Sequence, residues 1–215
     1  MVLSSTFNRS FNKFYTDYKT GDYNTLNNLI KNSIDNFKNH NNGKKPENII
    51  LYREGGNERQ VEKLVRTELP NLISYIETGY EENYKPKLTI FNVNKKTDLK
   101  FFEKKGGVYG NLPSGAVIDR DVVSPGCFEF YLQCPDVDRG TGTPVHFLCL
   151  YNTNENLTAN DFEEITFRQS YYYWNWPGPI RVPAALKYAE VANQFSSKNI
   201  KGEVIEKLKD SPYYI

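Results

Sequence analysis

Residues 48–60 read NIILYREGGNERQ. Ile49, Ile50, Leu51 and Tyr52 form a short, continuous apolar run with two glycines close behind, the pattern of a strand buried on both faces of a sheet. Glu54 closes the run. In open α/β sheets ligands bind beyond the C-terminal ends of strands, and Gly55 and Gly56 leave the backbone able to turn sharply and to approach a ligand. An acid here is either a metal ligand or the polar end of a strand, and these residues alone leave both readings open.

Upstream, residues 22–39 place Leu26, Leu29, Ile30, Ile34 and Phe37 on one face at helical spacing, so a helix is predicted there with something apolar beneath it. KNHNNGKK (38–45) is a solvated loop. Downstream, Val61, Leu64 and Val65 mark a second helix, which Pro70 either kinks or restarts with Leu72, Ile73 and Ile76. KLTIFNV (87–93) is a further buried strand, and strand–helix–strand in this order predicts a right-handed parallel crossover.

Shorter strands follow: AVIDRDVV (116–123), CFEFYLQC (127–134) and PVHFLCLYN (144–152). TAND (158–161) starts a helix with Thr158 as N-cap and an acid three residues on, ahead of an apolar face through Phe162, Ile165 and Phe167. NWPGPIRVP (175–183) breaks it, and Pro183 opens a last helix through Tyr188 and Val191. The predicted class is α/β, a mixed sheet with helices on both faces.

A chain of 215 residues holds one domain with a real core. Its 27 basic residues against 26 acidic ones make no case in bulk for a polyanionic partner, so any nucleic-acid argument is local. The longest apolar runs, such as HFLCLY (146–151), fall far short of the roughly 20 residues a membrane helix needs. The N-terminus lacks a charged start with an apolar core behind it, so an intracellular, non-membrane protein is expected, cytoplasmic or nuclear. Cys127, Cys134 and Cys149 lie in strand-like surroundings and are expected to act as small buried hydrophobes.

Two-metal phosphoryl chemistry needs several carboxylates converging on hard cations. Besides Glu54, the candidates are Asp22, opening the first helix, and Glu190 in KYAEVANQF on the last. The bland alternative is that helix-surface acids are solvated.

Four ordered motifs then carry a resemblance. IILYREGGNERQ resembles the Argonaute/Piwi strand motif I-I-x-Y-R-D-G-x-x-x-x-Q, with Glu54 where the family has a catalytic Asp. GNLPSGAVIDRDVVSPGCFEFYL (110–132) resembles G-N-x-P-x-G-T-x-x-D and its following strand. GTGTPVHFLCLYNTNENLTANDFEEITF (140–167) is similar to the G-T-x-x-P-x-H-Y segment and the helix after it. YYYWNWPGPIRVPAALKYAE (171–190) is similar to the Piwi-branch Y-x-N-W-x-G-x-I-R-V-P-A-P-x-x-Y-A-H, and the likeness reaches the C-terminal YYI.

The resemblance implies an RNase H-like Piwi domain over residues 1–215 whose first strand is missing, with neither a Paz nor a Mid domain. It implies RNA-guided silencing, a small guide RNA or its target as ligand, and a partner supplying the absent lobe. Active members of the family cut RNA with acids, and a His or a fourth acid, around Mg²⁺ or Mn²⁺. Here the first catalytic Asp has no counterpart, since VLSSTFNRSFNKFY already corresponds to the second and third strands. The mobile Glu falls at Asp22 or at Gly21; the third position is Glu54, one methylene longer than Asp; the family's His is Glu190. Mg²⁺ sites demand near-ideal geometry, so the expectation is loss of cleavage, with Glu54 and Glu190 as the remaining candidate metal ligands.

For nucleic acid the resemblance points to VNKKTDLKFFEKK (93–105), where Lys95, Lys96, Lys100, Lys104 and Lys105 outweigh Asp98 and Glu103. Arg181 in I-R-V-P and Lys187 on the last helix join them. Lysine neutralises phosphate without reading sequence. His146 is as readily a packed histidine as a contact, and Trp174 and Trp176 are expected to fill the space between the last two helices.

Overall fold

The computed structural model describes every residue except Asp22, Gly56, Asn57 and Lys201. The chain forms two compact units. One comprises Met1–Ile49, Asn57–Lys87 and Ala185–Ile215; the other comprises Ile50–Gly56 and Leu88–Ala184.

In the first unit, β1 (Val2–Thr6) and β2 (Phe14–Tyr18) pair antiparallel, Val2 opposite Tyr18. Every residue of β2 is buried, including Asp17. That acid is tolerated because Lys209 sits 3.2 Å away, Asn32 donates its amide at 2.9 Å and the Tyr18 N–H donates at 2.9 Å. Helix α1 (Tyr23–His40) buries Leu29, Ile30 and Ile34, as its spacing predicts.

Pro70 restarts an α-helix, as one of the two expectations has it: it sits in the first turn of the helix Leu69–Ser74, which buries Leu72. The chain stays helical from α2 (Glu58–Lys63) through a wide π-turn (Leu64–Glu68), α3 (Leu69–Ser74) and a second π-turn (Tyr75–Gly79). Proline has no N–H for the carbonyl four residues back. A π-turn just before it, closed by Leu69 N–H to Leu64 C=O, absorbs the mismatch.

Helix α5 (Ala184–Asn199), beginning just after Pro183, buries Tyr188 against Phe14 at a centroid distance of 4.5 Å. A short α6 (Glu206–Lys209) brings the Lys209 ammonium to Asp17, and the tail puts the Tyr214 hydroxyl 2.8 Å from the Thr16 hydroxyl. Removing one member of a buried ion pair strands the other charge, at a cost of ~3–5 kcal/mol. Lys209→Met is therefore expected to lower the midpoint of chemical denaturation sharply, with Asp17→Asn/Lys209→Met recovering part of the loss.

The second unit is built on a five-stranded sheet of order β3-β4-β9-β8-β7. The strands are β3 (Asn48–Glu54), β4 (Lys87–Asn94), β7 (Ala116–Ile118), β8 (Glu129–Gln133) and β9 (Val145–Asn152); β4–β9, β9–β8 and β8–β7 are antiparallel. Residues 119–123, expected to continue the first short strand, leave the sheet after Ile118, and Asp121 adopts φ 63°. Leu150 forms a bulge in β9 where Ile90 and Phe91 face Tyr151 and Cys149.

Alternation sorts the sheet into two faces. Phe91, Val93, Phe130 and Phe147 line one face, with Phe130 stacked on Phe147 at 4.9 Å and Phe162 meeting Phe91 at 5.7 Å. Asn92, Asn94, Glu129, Tyr131 and His146 line the other. Helix α4 (Ala159–Gln169) covers the phenylalanines, and its capping box is as predicted: Asp161 N–H donates to the Thr158 hydroxyl and Thr158 N–H to the Asp161 carboxylate.

The buried face of α4 corrects the sequence expectation. It runs through Phe162, Glu163, Thr166 and Gln169, while Ile165 and Phe167 are half-buried. Thr166 is satisfied by the Tyr52 hydroxyl at 2.8 Å, whereas Glu163 Oε1 has no hydrogen-bond partner. Burial, and then the Asp119 carboxylate, push the Glu163 carboxyl up to about 7, against an opposing pull from Arg120. A carboxyl raised in the native state binds more protons than its unfolded counterpart between the two pKa values, so stability falls as pH rises through that window. Glu163→Gln is expected to match the parent's melting temperature near pH 4 and exceed it at pH 8, measured as melting temperature against pH.

Candidate nucleic-acid interface and the acid position beside it

Glu54 ends β3, and beyond the neighbouring strand β4 comes the lysine-rich turn. The Gly55 N–H donates to Val93 C=O at 3.0 Å, extending the contact with β4 one residue past Glu54. Gly55 is required for a reason other than ligand approach. A Cβ there would lie 1.8 Å from Asn92 Oδ1, so the Asn92 amide occupies that space. Asn92 is buried, and its Oδ1 has no hydrogen-bond partner. Gly55→Ala is expected to cost ~1–3 kcal/mol through overpacking, measured by denaturant titration, with Gly55→Ala/Asn92→Ala recovering the loss.

Glu54 itself meets a cation. Lys95 Nζ lies 2.5 Å from Glu54 Oε1. Lys95, expected as a phosphate contact, therefore holds the acid expected as a metal ligand. One carboxylate with an ammonium on it is a donor set that does not fit a divalent cation, and no group of three or more His, Cys, Asp or Glu able to hold a metal occurs among the described residues. Glu190 lies on α5 in the other unit, half-buried, with Lys187 Nζ 3.4 Å from its carboxylate, so Lys187 too is engaged by an acid. Asp22 lies outside the described residues.

Lys100, from the same turn, and Arg181 meet at Thr143. Arg181 Nη2 donates to Lys95 C=O at 2.9 Å and to Thr143 C=O at 3.2 Å. The Lys100 ammonium donates to the Thr143 hydroxyl. The turn after β4 is thus tied to the turn before β9, and Lys96, Lys100 and Arg181 are exposed along this edge. A guanidinium carries five donors, and both bonds of Arg181 use Nη2. Thr143 carried no signal in the sequence; its role comes from its place opposite the lysine turn.

His146 is a packed histidine. Its Nε2 lies 2.8 Å from Glu129 Oε2, and Tyr131 stacks on its ring at 4.5 Å. Burial pushes the Glu129 carboxyl up, but hydrogen bonds from Ser124 and His146 outweigh it and hold the group below the usual carboxylate range. Trp174 and Trp176 correct the expectation of an interior role: they are 75% and 57% exposed. They stand on an irregular segment that Pro177, Gly178 and Pro179 keep from being helical, closed by Ile180 N–H to Ser170 C=O at 2.9 Å. Cys134 is buried, with burial pushing its thiol up to about 12, but Cys127 is exposed in the turn before β8.

Asn111 explains part of the G-N-x-P motif. Its amide donates to Val137 C=O at 3.1 Å and Gly140 C=O at 2.9 Å and accepts from Gly142 N–H at 2.9 Å. It therefore latches the loop that carries the turn before β9.

An RNase H-like α/β layer with a mixed sheet and a basic strand-end edge is the class these features define. A model of the Piwi domain matches residues 4–201, and the chain belongs to the Piwi-domain family. It is 32% identical over 170 residues to Piwi-like protein 1 of Gallus gallus, an alignment covering 79% of this chain and 19% of that protein. It is 29% identical over 175 residues to Piwi-like protein Ago3 of Bombyx mori, again covering 19% of the relative. Such relatives place it in the Piwi branch. The crystal structure of Drosophila Piwi superposes with a TM-score of 0.87 at 25% identity, covering all of this chain and 29% of that one. Kluyveromyces polysporus Argonaute with a guide RNA matches in fold, with a TM-score of 0.81 at 23% identity and 30% of its chain covered. The chain thus spans about a fifth of the length of the Piwi-like relatives it matches. No helix among the described residues is long and apolar enough to cross a membrane.

Proposed function

We propose that this chain is an RNA-binding Piwi-domain protein of the RNA-guided silencing type that holds RNA without cutting it. The observation that carries the reading is the basic edge: Arg181 ties the turns before β9 and after β4 together and leaves Lys96 and Lys100 beside it in solvent. Cations fixed on a rigid edge neutralise phosphates and release counterions, which gives affinity without sequence readout. Lys95 adds to the edge whenever a phosphate competes for it, because its pair with Glu54 is half-exposed and such pairs contribute only ~0–1 kcal/mol.

The reading excludes cleavage on the state of Glu54, which faces an ammonium and is one methylene longer than the family's Asp. Binding of Mg²⁺ or Mn²⁺ by Glu54 and Glu190 is the competing reading, and it requires Lys95 and Lys187 to give up their partners. Guide and target as ligands come from family membership; the chain's own contribution is the phosphate-facing edge.

The test is binding of the chain to a labelled single-stranded RNA and to a guide–target duplex across a salt series, with Mg²⁺ or Mn²⁺ present and strand integrity read on the same samples. Binding is expected to fall steeply with salt and leave the RNA intact. Lys96→Ala/Lys100→Ala/Arg181→Ala is expected to reduce the single-strand salt slope by about 2, at ~0.7 per phosphate contact. Divalent-dependent cuts that vanish in Glu54→Ala would replace this reading with that of a nuclease.

A further inference from the structure

The end of the basic segment 93–105 and the residues after it form a two-stranded ribbon that the sequence pattern does not predict: β5 (Phe102–Lys105) and β6 (Val108–Asn111). Gly106 and Gly107 join them with φ of +57° and +87°, and positive φ at both central residues is what the type I′ turn of a two-residue hairpin requires. The register sets Phe102 opposite Asn111, Lys104 opposite Tyr109 and Lys105 opposite Val108.

The ribbon is fixed at its root. Phe101 packs on Tyr131 at 5.4 Å, Tyr131 stacks on His146, and Asn111 is held by Val137, Gly140 and Gly142. Beyond the root its aromatic side chains are uncovered, with Phe102 51% and Tyr109 67% exposed. Alternation sorts the charges. Phe102, Lys104 and Tyr109 share one face, and Lys104 Nζ lies 5.3 Å from the centre of the Tyr109 ring. Glu103 is on the opposite face, where Lys105 neutralises it at 2.8 Å. One face therefore shows two aromatic rings and an ammonium and no acid.

We propose that this face is a stacking platform for single-stranded RNA, with Tyr109 and Phe102 each taking a base and Lys104 the phosphate beside them. Diagonal neighbours on a ribbon stand ~7–8 Å apart, so the two rings serve successive unstacked bases rather than a duplex, whose bases are hidden. Charge complementarity selects the partner: a cation held on a ring face matches a ligand that joins a π-surface to an anion, which a nucleotide does. The proposal rests on the RNA-binding reading above but names a different contact, by stacking, from the phosphate edge at Lys96, Lys100 and Arg181.

The experiment compares the parent chain with Phe102→Ala, Tyr109→Ala, Lys104→Gln and, on the opposite face, Val108→Ala, using a labelled uridine-rich 12-mer over a salt series. All four positions lie on the exposed ribbon, and circular dichroism checks that each variant folds. Base–aromatic stacking supports an expected loss of about 5-fold to 150-fold for each ring variant with the salt slope unchanged. Lys104→Gln is expected to lower the slope by about 0.7, and Val108→Ala to match the parent. Photocrosslinking with 4-thiouridine RNA should label the peptide containing Tyr109. If the parent binds RNA and the ring variants bind equally well, the platform is overturned while the basic edge stands. If the parent does not bind RNA, both fall. Ring variants that lose self-association or binding to anionic vesicles, with RNA affinity unchanged, would assign the ribbon to a protein or lipid partner and overturn the proposal.

Discussion

The phenylalanine layer between the sheet and α4 sets the position of everything else in the second unit. Phe91 meets Phe128, Phe130 and Phe162 at 5.6, 5.9 and 5.7 Å, and Phe130 lies flat on Phe147. Side chains alternate along a strand, so burying this row forces the next residues of β4, β8 and β9 onto the opposite face. That face carries Asn92, Asn94, Glu129, Tyr131 and His146, with Leu148 between Asn92 and Glu129. A slip of one residue would exchange the two rows and bury an acid and a histidine among phenyl rings, at a cost no local contact offsets. The same register fixes where β4 ends, and with it the turn that brings Lys95 to Glu54 and Arg181 to the Lys95 carbonyl.

That geometry changes the meaning of the acid at the end of β3. A carboxylate beyond a strand end is suited to a cation, and here the cation is an ammonium from the adjacent strand's turn. Both members stay partly in water, so the pair is weak. A phosphate would compete for Lys95 on equal terms, whereas a divalent ion would have to displace it and still find further oxygens. The edge is thus disposed toward anions, and its acid moderates the positive potential rather than reversing it.

How much of this was legible in the sequence follows from the kind of interaction involved. Local, periodic signals were readable: the Thr158–Asp161 box, the Leu29–Ile30–Ile34 face and the strands centred on residues 90, 131 and 148. Family membership was readable from four ordered motifs, which record long-range constraints that spacing cannot. Pairings set by tertiary contact were not readable. Nothing in the sequence ties Lys95 to Glu54 rather than to phosphate, or Thr143 to Arg181. Gly55 looked like an opening for a ligand because the residue filling that space, Asn92, sits 37 positions away. Trp174 and Trp176 are large and apolar, but they stand on an irregular, exposed segment running into Pro-Gly-Pro, and residue type alone does not carry that placement.

The ribbon of β5 and β6 leaves little trace in the sequence. Its strands have four residues each, and charge masks their alternation, so FEKKGGVYGN carries no strand signal. Pairing across Gly106–Gly107 is what converts it into two chemically distinct faces. Charge counted along the sequence gives a basic segment with an acid in it; charge counted by face gives one neutralised side and one side with a lysine lying over a tyrosine ring. A loop of that composition would be solvated and non-committal. A ribbon held at its root by Phe101 and Asn111 keeps its aromatic face presented, so the ordering cost of binding is already met before a ligand arrives.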